Sequence, residues 1–273
     1  MPLPPAQKSL LVSLSGPSSS GKTTLARLLR DLLPNTFILH EDDFYKPESL
    51  LPFRSGHRDW DCPEAIDLPA LTNALTYIKS TGKFPPFINS KEDQNTLGAC
   101  PASPSHINFA KAIIASSSLH SLLKHAKICI LDGFLLYSQA EEFKPILELI
   151  DIKLFLLASE EKAVARRKAR DGYVTLEGFW KDPEGYVEEV VWPNYVEQHG
   201  YLFVDGDVKR GRLDRKVLER EGILAMGGGH EDGHGHGDGE GFGEVLVWAV
   251  GEVVDRLEGV LGGEGGRREN EGE

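Results

Sequence analysis

The sequence predicts an α/β fold in three layers, a mostly parallel five-stranded sheet between two sets of helices, and three observations carry that expectation. Ser9 to Ser15 form a short apolar run that reads as a buried parallel strand. Gly16-Pro17-Ser18-Ser19-Ser20-Gly21-Lys22-Thr23 follows at once and matches G-x-x-x-x-G-K-[ST]. Leu25, Leu28, Leu29, Leu32 and Leu33 then recur at the spacing of one helix face. Strand, glycine loop and helix in that order aim backbone N–H groups and a helix N-terminus at one point, where phosphate is held. The motif is the P-loop of nucleoside-triphosphate enzymes. Gly16, Ser18, Ser19, Ser20, Gly21, Lys22, Thr23 and Thr24 are its candidate ATP-phosphate ligands. Lys22 is expected at the β/γ-phosphates, and the Thr23 hydroxyl on Mg²⁺.

Thr36-Phe37-Ile38-Leu39-His40 reads as a second strand, running directly into Glu41-Asp42-Asp43-Phe44-Tyr45. Ligands of open parallel sheets sit outside the carboxyl ends of the strands, which places these acids at the chemical edge. Residues 46–63 read as a loop and Pro63 to Lys79 as a helix, with Asp61 as its cap and Glu64 completing a capping box. The Pro-, Ser- and Asn-rich segment 82–118 reads as an insertion, closed by a helix over 110–124. Ile128 to Gly133 is an apolar strand ending on Asp132, the form of the second acidic element that supports Mg²⁺ in P-loop proteins. Ile152 to Leu157 and Tyr201 to Asp205 are expected to complete the sheet. The basic helix Ala163 to Arg170 between them is an Arg-rich lid that would close over the triphosphate. Pro183 to Gln198 is expected to be a helix interrupted at Pro193.

The net charge of −12 over 273 residues is unevenly placed. Residues 222–273 hold twelve acidic and three basic residues, and 17 of the 29 glycines, so the body is close to neutral. No sustained basic stripe with interleaved aromatics occurs, which speaks against a nucleic-acid partner. Cys62, Cys100 and Cys129 are odd in number and far apart, a pattern of a reducing compartment rather than of disulfides or zinc. No signal-peptide order and no long apolar run appear, so the expectation is no membrane partner and a cytoplasmic protein, with the nucleus also open. The domain reading is a kinase-type domain over 1–221, a Gly/His/acidic linker over 222–243, a helix over 244–261 that packs back, and a disordered tail over 262–273. His230, His234 and His236 in the linker admit a metal-binding reading, but no fixed spacing supports one.

A phosphotransferase differs from a hydrolase by a base beside an acceptor site, and Asp42 past the second strand is the candidate. Three strings then carry a resemblance: Glu41-Asp42-Asp43-Phe44-Tyr45-Lys46-Pro47-Glu48, Leu131-Asp132-Gly133-Phe134-Leu135-Leu136-Tyr137, and Val191-Trp192-Pro193-Asn194-Tyr195. Together they resemble the nicotinamide riboside kinases, uridine-kinase-like P-loop kinases, here of a fungal type with insertions. The resemblance covers roughly 8–80 and 127–207. It implies ATP-dependent phosphorylation of the 5′-hydroxyl of nicotinamide riboside, with nicotinic acid riboside also open, feeding NAD synthesis. It further implies Asp42 and Lys22 as catalytic, Asp61 and Arg167 on the ribose hydroxyls, and Trp60 and Tyr173 around the nicotinamide ring. Arg166 and Arg170 would act on ATP phosphates, and Thr23 and Asp132 on Mg²⁺. Asp132 stands where the family carries Glu, and Trp60 where it carries Tyr. The implied partners are a riboside and a nucleoside triphosphate, and the implied state is a monomer or weak homo-oligomer.

Two other readings stay open. Asp61-Cys62-Pro63-Glu64-Ala65-Ile66-Asp67 resembles the D-H-P-x-A-F-D string of uridine/cytidine kinases, with Cys62 in place of its histidine. A nucleotide-binding scaffold without catalysis is the alternative of another class, against which Lys22, Thr23, Asp42 and Asp132 occurring together argue.

Overall fold

The computed structural model describes residues 9–90, 100–117, 126–170, 172–175, 178–226 and 241–262; for 173–175 and 258–262 only the backbone is described. In chain order the first half is β1 (Ser9–Ser15), α1 (Lys22–Leu32), β2 (Thr36–His40), the short hairpin β3 (Phe53–Arg54) and β4 (His57–Arg58), α2 (Leu68–Thr81) and α3 (Pro104–Ser116). The second half is β5 (Lys127–Asp132), α4 (Lys144–Leu149), β6 (Ile152–Phe155), α5 (Glu160–Lys168), the hairpin β7 (Tyr173–Thr175) and β8 (Gly178–Trp180), α6 (Trp192–His199), α7 (Arg215–Glu221), β9 (Ile223–Ala225) and α8 (Phe242–Gly262).

The main sheet runs β2-β5-β1-β6-β9 and is parallel throughout. Period-two alternation divides β1 between two cores: Leu10, Val12 and Leu14 face one side, Leu11 the other. The first side is covered by α1, α3 and α8, through Leu25, Leu29, Ala110, Leu246, Val250 and Val253. The second is covered by α2, α4 and α6, through Leu71, Leu75, Ile146 and Tyr195. Ser13, polar on that apolar side, is matched by the buried Tyr137 hydroxyl at 2.8 Å. Both faces are buried, which is why these strands read as continuous apolar runs.

Several elements differ from the sequence expectation. The helix expected from Pro63 begins at Leu68, because Asp67 and not Asp61 caps it, accepting from the Ala70 N–H at 3.0 Å. Pro63–Ala65 is a separate 3₁₀ turn. The helix expected over 110–124 starts at Pro104, where the Ser103 side chain caps it, and ends at Ser116; residues 118–125 lie outside the described residues. Tyr201 to Asp205 is not a strand. Leu202, ending a 3₁₀ turn, and Phe203, extended between that turn and the next, plug the core, and Asp205 takes a left-handed φ of 57°. A four-residue apolar run does not distinguish a strand from a buried turn. The fifth strand is β9, just past the boundary drawn at residue 221, entered through Gly222 in the left-handed conformation. Pro193 does not end the helical run: a π-turn over Val187–Val191 continues into α6 with Val191 and Trp192 still in helical conformation, and this widened turn precedes the proline, which has no N–H to donate. His230, His234 and His236 and the tail from 263 lie outside the described residues.

His199, at the end of α6, stacks between Phe155 (5.5 Å) and Tyr195 (5.0 Å). Its Nδ1 lies 3.3 Å from the Tyr195 carbonyl, and its buried Nε2 has no hydrogen-bond partner among the described residues. Burial pushes its pKa down to about 3. The unfolded chain therefore binds a proton below about pH 6.5 that the native state refuses until about 3. Stability should rise with pH through that window and be lost as pH falls, by about 1.4 kcal/mol per unit. His199→Phe is expected to flatten this acid slope, which urea midpoints at pH 7 and 4.5 would measure. An equal slope in both proteins would assign it to other groups.

Candidate active site

The carboxyl edge of the sheet gathers the chemistry because three strands end there in register. Leu14 of β1 pairs with Asp132 of β5, and Asp132 with His40 of β2. β1 leads into the phosphate loop, where Gly16 takes φ 140°, and a Cβ there would lie 2.3 Å from the Leu156 carbonyl oxygen. Only glycine lets the loop pass this close to the chain leaving β6. Gly21 caps α1 in the left-handed conformation without a side-chain hydrogen bond, so the first N–H groups of α1 are left for a ligand. The Lys22 ammonium folds back over the loop, donating to the carbonyls of Gly16 (3.1 Å) and Pro17 (2.9 Å). Burial lowers its pKa, against the opposing pull of Asp132, Asp42 and Glu41.

Asp132 Oδ2 accepts from the Thr23 hydroxyl at 2.6 Å and lies 3.2 Å from His40 Nδ1. Burial pushes this carboxyl up, but the His40 hydrogen bond and charge, Lys22 and Thr23 outweigh it and hold the group below the usual carboxylate range. Thr23 and Asp132 thus present hard oxygen ligands side by side. Among the described residues no group of three or more His, Cys, Asp or Glu could hold a metal. Two protein oxygens completed by phosphate oxygens and water are the donor set that suits Mg²⁺.

A cavity of about 330 Å³ opens beside the loop. Ser18, Ser19, Gly21, Lys22, Thr23 and Thr24 line its donor side; Gly16 and Ser20 do not line it. Asp42, exposed, enters it from the 3₁₀ turn Glu41–Phe44 that follows β2. Arg166 and Arg170, both exposed, reach it from the α5 side.

The acceptor side is organised by Arg167, the buried member of the arginine run. Its Nη1 donates to Asp61 Oδ1 (2.8 Å) and to the Ser18 hydroxyl (3.0 Å). Its Nε donates to Asp182 Oδ2 at 2.8 Å and its Nη2 to Asp182 Oδ1 at 3.1 Å, a bidentate pair. The Tyr186 hydroxyl donates to Asp61 Oδ2 at 3.0 Å. Asp59, held by the Asn194 amide at 2.8 and 2.9 Å, fixes this loop by accepting the Asp61 N–H. Asp61 is therefore an ion-pair partner rather than a helix cap.

Trp60 lies on the cavity wall, edge-on to Tyr45 at 5.3 Å and tilted against Trp180 at 5.4 Å. Trp180 was not foreseen from the sequence. It reaches the cavity from β8, and its Nε1 donates to Asp182 Oδ1 at 3.1 Å. Tyr173 stands opposite it across the hairpin register; its side chain lies outside the described residues.

No family model matches the chain. It is 37% identical to nicotinamide riboside kinase of Schizosaccharomyces pombe over 213 residues, 77% of this chain and 88% of that protein. It is 36% identical to that of Saccharomyces cerevisiae, covering 77% and 85%, and 30% identical to that of Eremothecium gossypii, covering 73% and 80%. The chain belongs to the nicotinamide riboside kinase family. Sequence reasoning missed Trp180, which lines this kinase's cavity, and two carboxylates that lie behind it, the buried Glu41 and the part-buried Asp182. Glu41 was read only as part of an acidic run. For Asp182 the available signal was the order Trp180-Lys181-Asp182-Pro183, a turn that ends a hairpin beside a buried arginine.

Proposed function

We propose that this kinase transfers the γ-phosphoryl group of ATP to the 5′-hydroxyl of nicotinamide riboside, giving the mononucleotide for NAD synthesis. The observation that carries the reading is one cavity lined by the phosphate loop on one side and, on the other, by the Asp61–Arg167 pair and two tryptophans, Trp60 and Trp180. The riboside oxygen attacks the γ-phosphorus, the bond to the ADP oxygen breaks, and the hydroxyl proton passes to Asp42. The transition state is loose, so positioning and charge neutralisation dominate, and these fall to Lys22, the N-terminus of α1, Arg166 and Arg170. Thr23 and Asp132 would hold Mg²⁺, which supplies further neutralisation of phosphate charge when bound. Asp61 accepts from a ribose hydroxyl while Arg167 donates to its neighbour. Trp60 and Trp180 face the cationic pyridinium ring, a contact of about 0.5–2 kcal/mol.

A panel of nicotinamide riboside, nicotinic acid riboside and uridine tests the assignment. Preferred turnover of uridine would overturn it. Trp180→Leu is expected to raise KM for nicotinamide riboside by about 2–30-fold, the equivalent of that contact, with less effect on KM for ATP.

A further inference from the structure

Glu41 is fully buried at the site's edge, and phosphoryl transfer as derived above makes no use of it. It opens the 3₁₀ turn that carries Asp42. Its Oε2 accepts two backbone N–H groups, from Phe134 at 2.7 Å and Leu135 at 3.1 Å. Those residues belong to the loop that leaves β5 after Asp132. The approach is close enough to exclude any side chain between them: a Cβ on Gly133 would lie 2.6 Å from Glu41 Oε2 and 2.7 Å from Glu41 Cβ. Gly133 and Phe134 line the cavity together with Asp42. One side chain therefore bolts the turn bearing the acceptor-side carboxylate to the loop behind Asp132. A hydrogen-bonded bolt of this kind is costly to remove, because truncating the carboxyl takes away the acceptor of both N–H groups. Glu41 Oε1 makes no hydrogen bond among the described residues, so the bolt needs only one acceptor oxygen, which a glutamine also supplies.

We propose that Glu41 is a positioning residue that sets the placement of Asp42 relative to Asp132 and the phosphate loop. The inference rests on Asp42 being the proton acceptor, which the Asp42→Asn variant tests by itself. A misplacement of about 1 Å costs up to about 10²-fold in rate, so Glu41→Ala is expected to lower kcat by about 10–100-fold. Both KM values should stay within about threefold, since neither the P-loop nor the Asp61–Arg167 pair is touched. Glu41→Gln keeps the acceptor and should retain kcat within about threefold. Gly133→Ala pushes the loop off Glu41 and should reproduce the kcat loss; it carries the test if Glu41→Ala fails to fold.

The deciding measurement is the double variant with Asp42→Asn. If Glu41 acts through Asp42, removing it where Asp42 is already disabled should cost less than about threefold. The same kcat loss in both backgrounds would overturn the inference while leaving the role of Asp42 intact. A kcat loss in Glu41→Gln equal to that in Glu41→Ala would also overturn it, since charge and not the tether would then matter. Full turnover by Asp42→Asn alone would instead sink the assignment of the base.

Discussion

Asp42→Asn is expected to lower kcat for nicotinamide riboside by about 10²–10⁴-fold, the usual contribution of a positioned general base. Asparagine keeps the shape of the side chain and one acceptor oxygen but takes no proton. Asp42 enters the cavity from an exposed turn position, so the substitution buries nothing and strains nothing. KM for ATP should hardly move, because Lys22, the α1 N-terminus and the arginines, the groups proposed to hold the phosphates, are untouched. Single-turnover rates with both substrates saturating would isolate the chemical step from product release. A variant with wild-type turnover would place the base elsewhere.

Arg167→Met is expected to damage stability and function together. The guanidinium is 8% exposed and faces Asp61, 4% exposed, and Asp182, 13% exposed. Removing one partner from a buried ion pair leaves an uncompensated charge and costs about 3–5 kcal/mol. Urea unfolding would read that cost. The triple variant Arg167→Met, Asp61→Asn, Asp182→Asn removes the stranded charges and should recover much of the stability. It should not recover turnover, because the ribose contacts proposed for Asp61 and Arg167 and the link to Ser18 are gone. Recovery of both would mean that the cluster serves the fold alone. Loss of the Ser18 contact should also loosen the lid, so futile ATP hydrolysis by Arg167→Met is expected to rise relative to transfer.

The donor half was legible because its signal is local. Gly16, Gly21, Lys22 and Thr23 must sit at fixed offsets for one loop conformation to form, and the apolar runs on either side must be strand and helix. The same holds for Asp132, whose place follows from the strand that it ends. The acceptor half depends on contacts between distant segments. Asp61 and Arg167 are 106 positions apart, and their pairing is set by how α5 crosses the sheet edge. A sequence window around Asp61 shows only a carboxylate before a proline, and so it read as a cap. Trp180 was hidden for a similar reason: a three-residue strand has no measurable period, and only the hairpin register shows which aromatic reaches the cavity. β9 was lost in the same way, a three-residue edge strand following the left-handed cap at Gly222.

The position of α8 bears on how the chain is made. Leu246, Ala249, Val250, Val253 and Leu257 are fully buried and complete the core beside α1, the helix that follows the phosphate loop. Phe242 at its start comes within 2.9 Å of where a Gly21 Cβ would stand. α8 is made long after the phosphate loop, so the part of the sheet face that it covers beside α1 and α3 stays open until α8 has been made. The nascent protein thus passes through a stage with an open sheet face, in which chaperone capture competes with docking of α8.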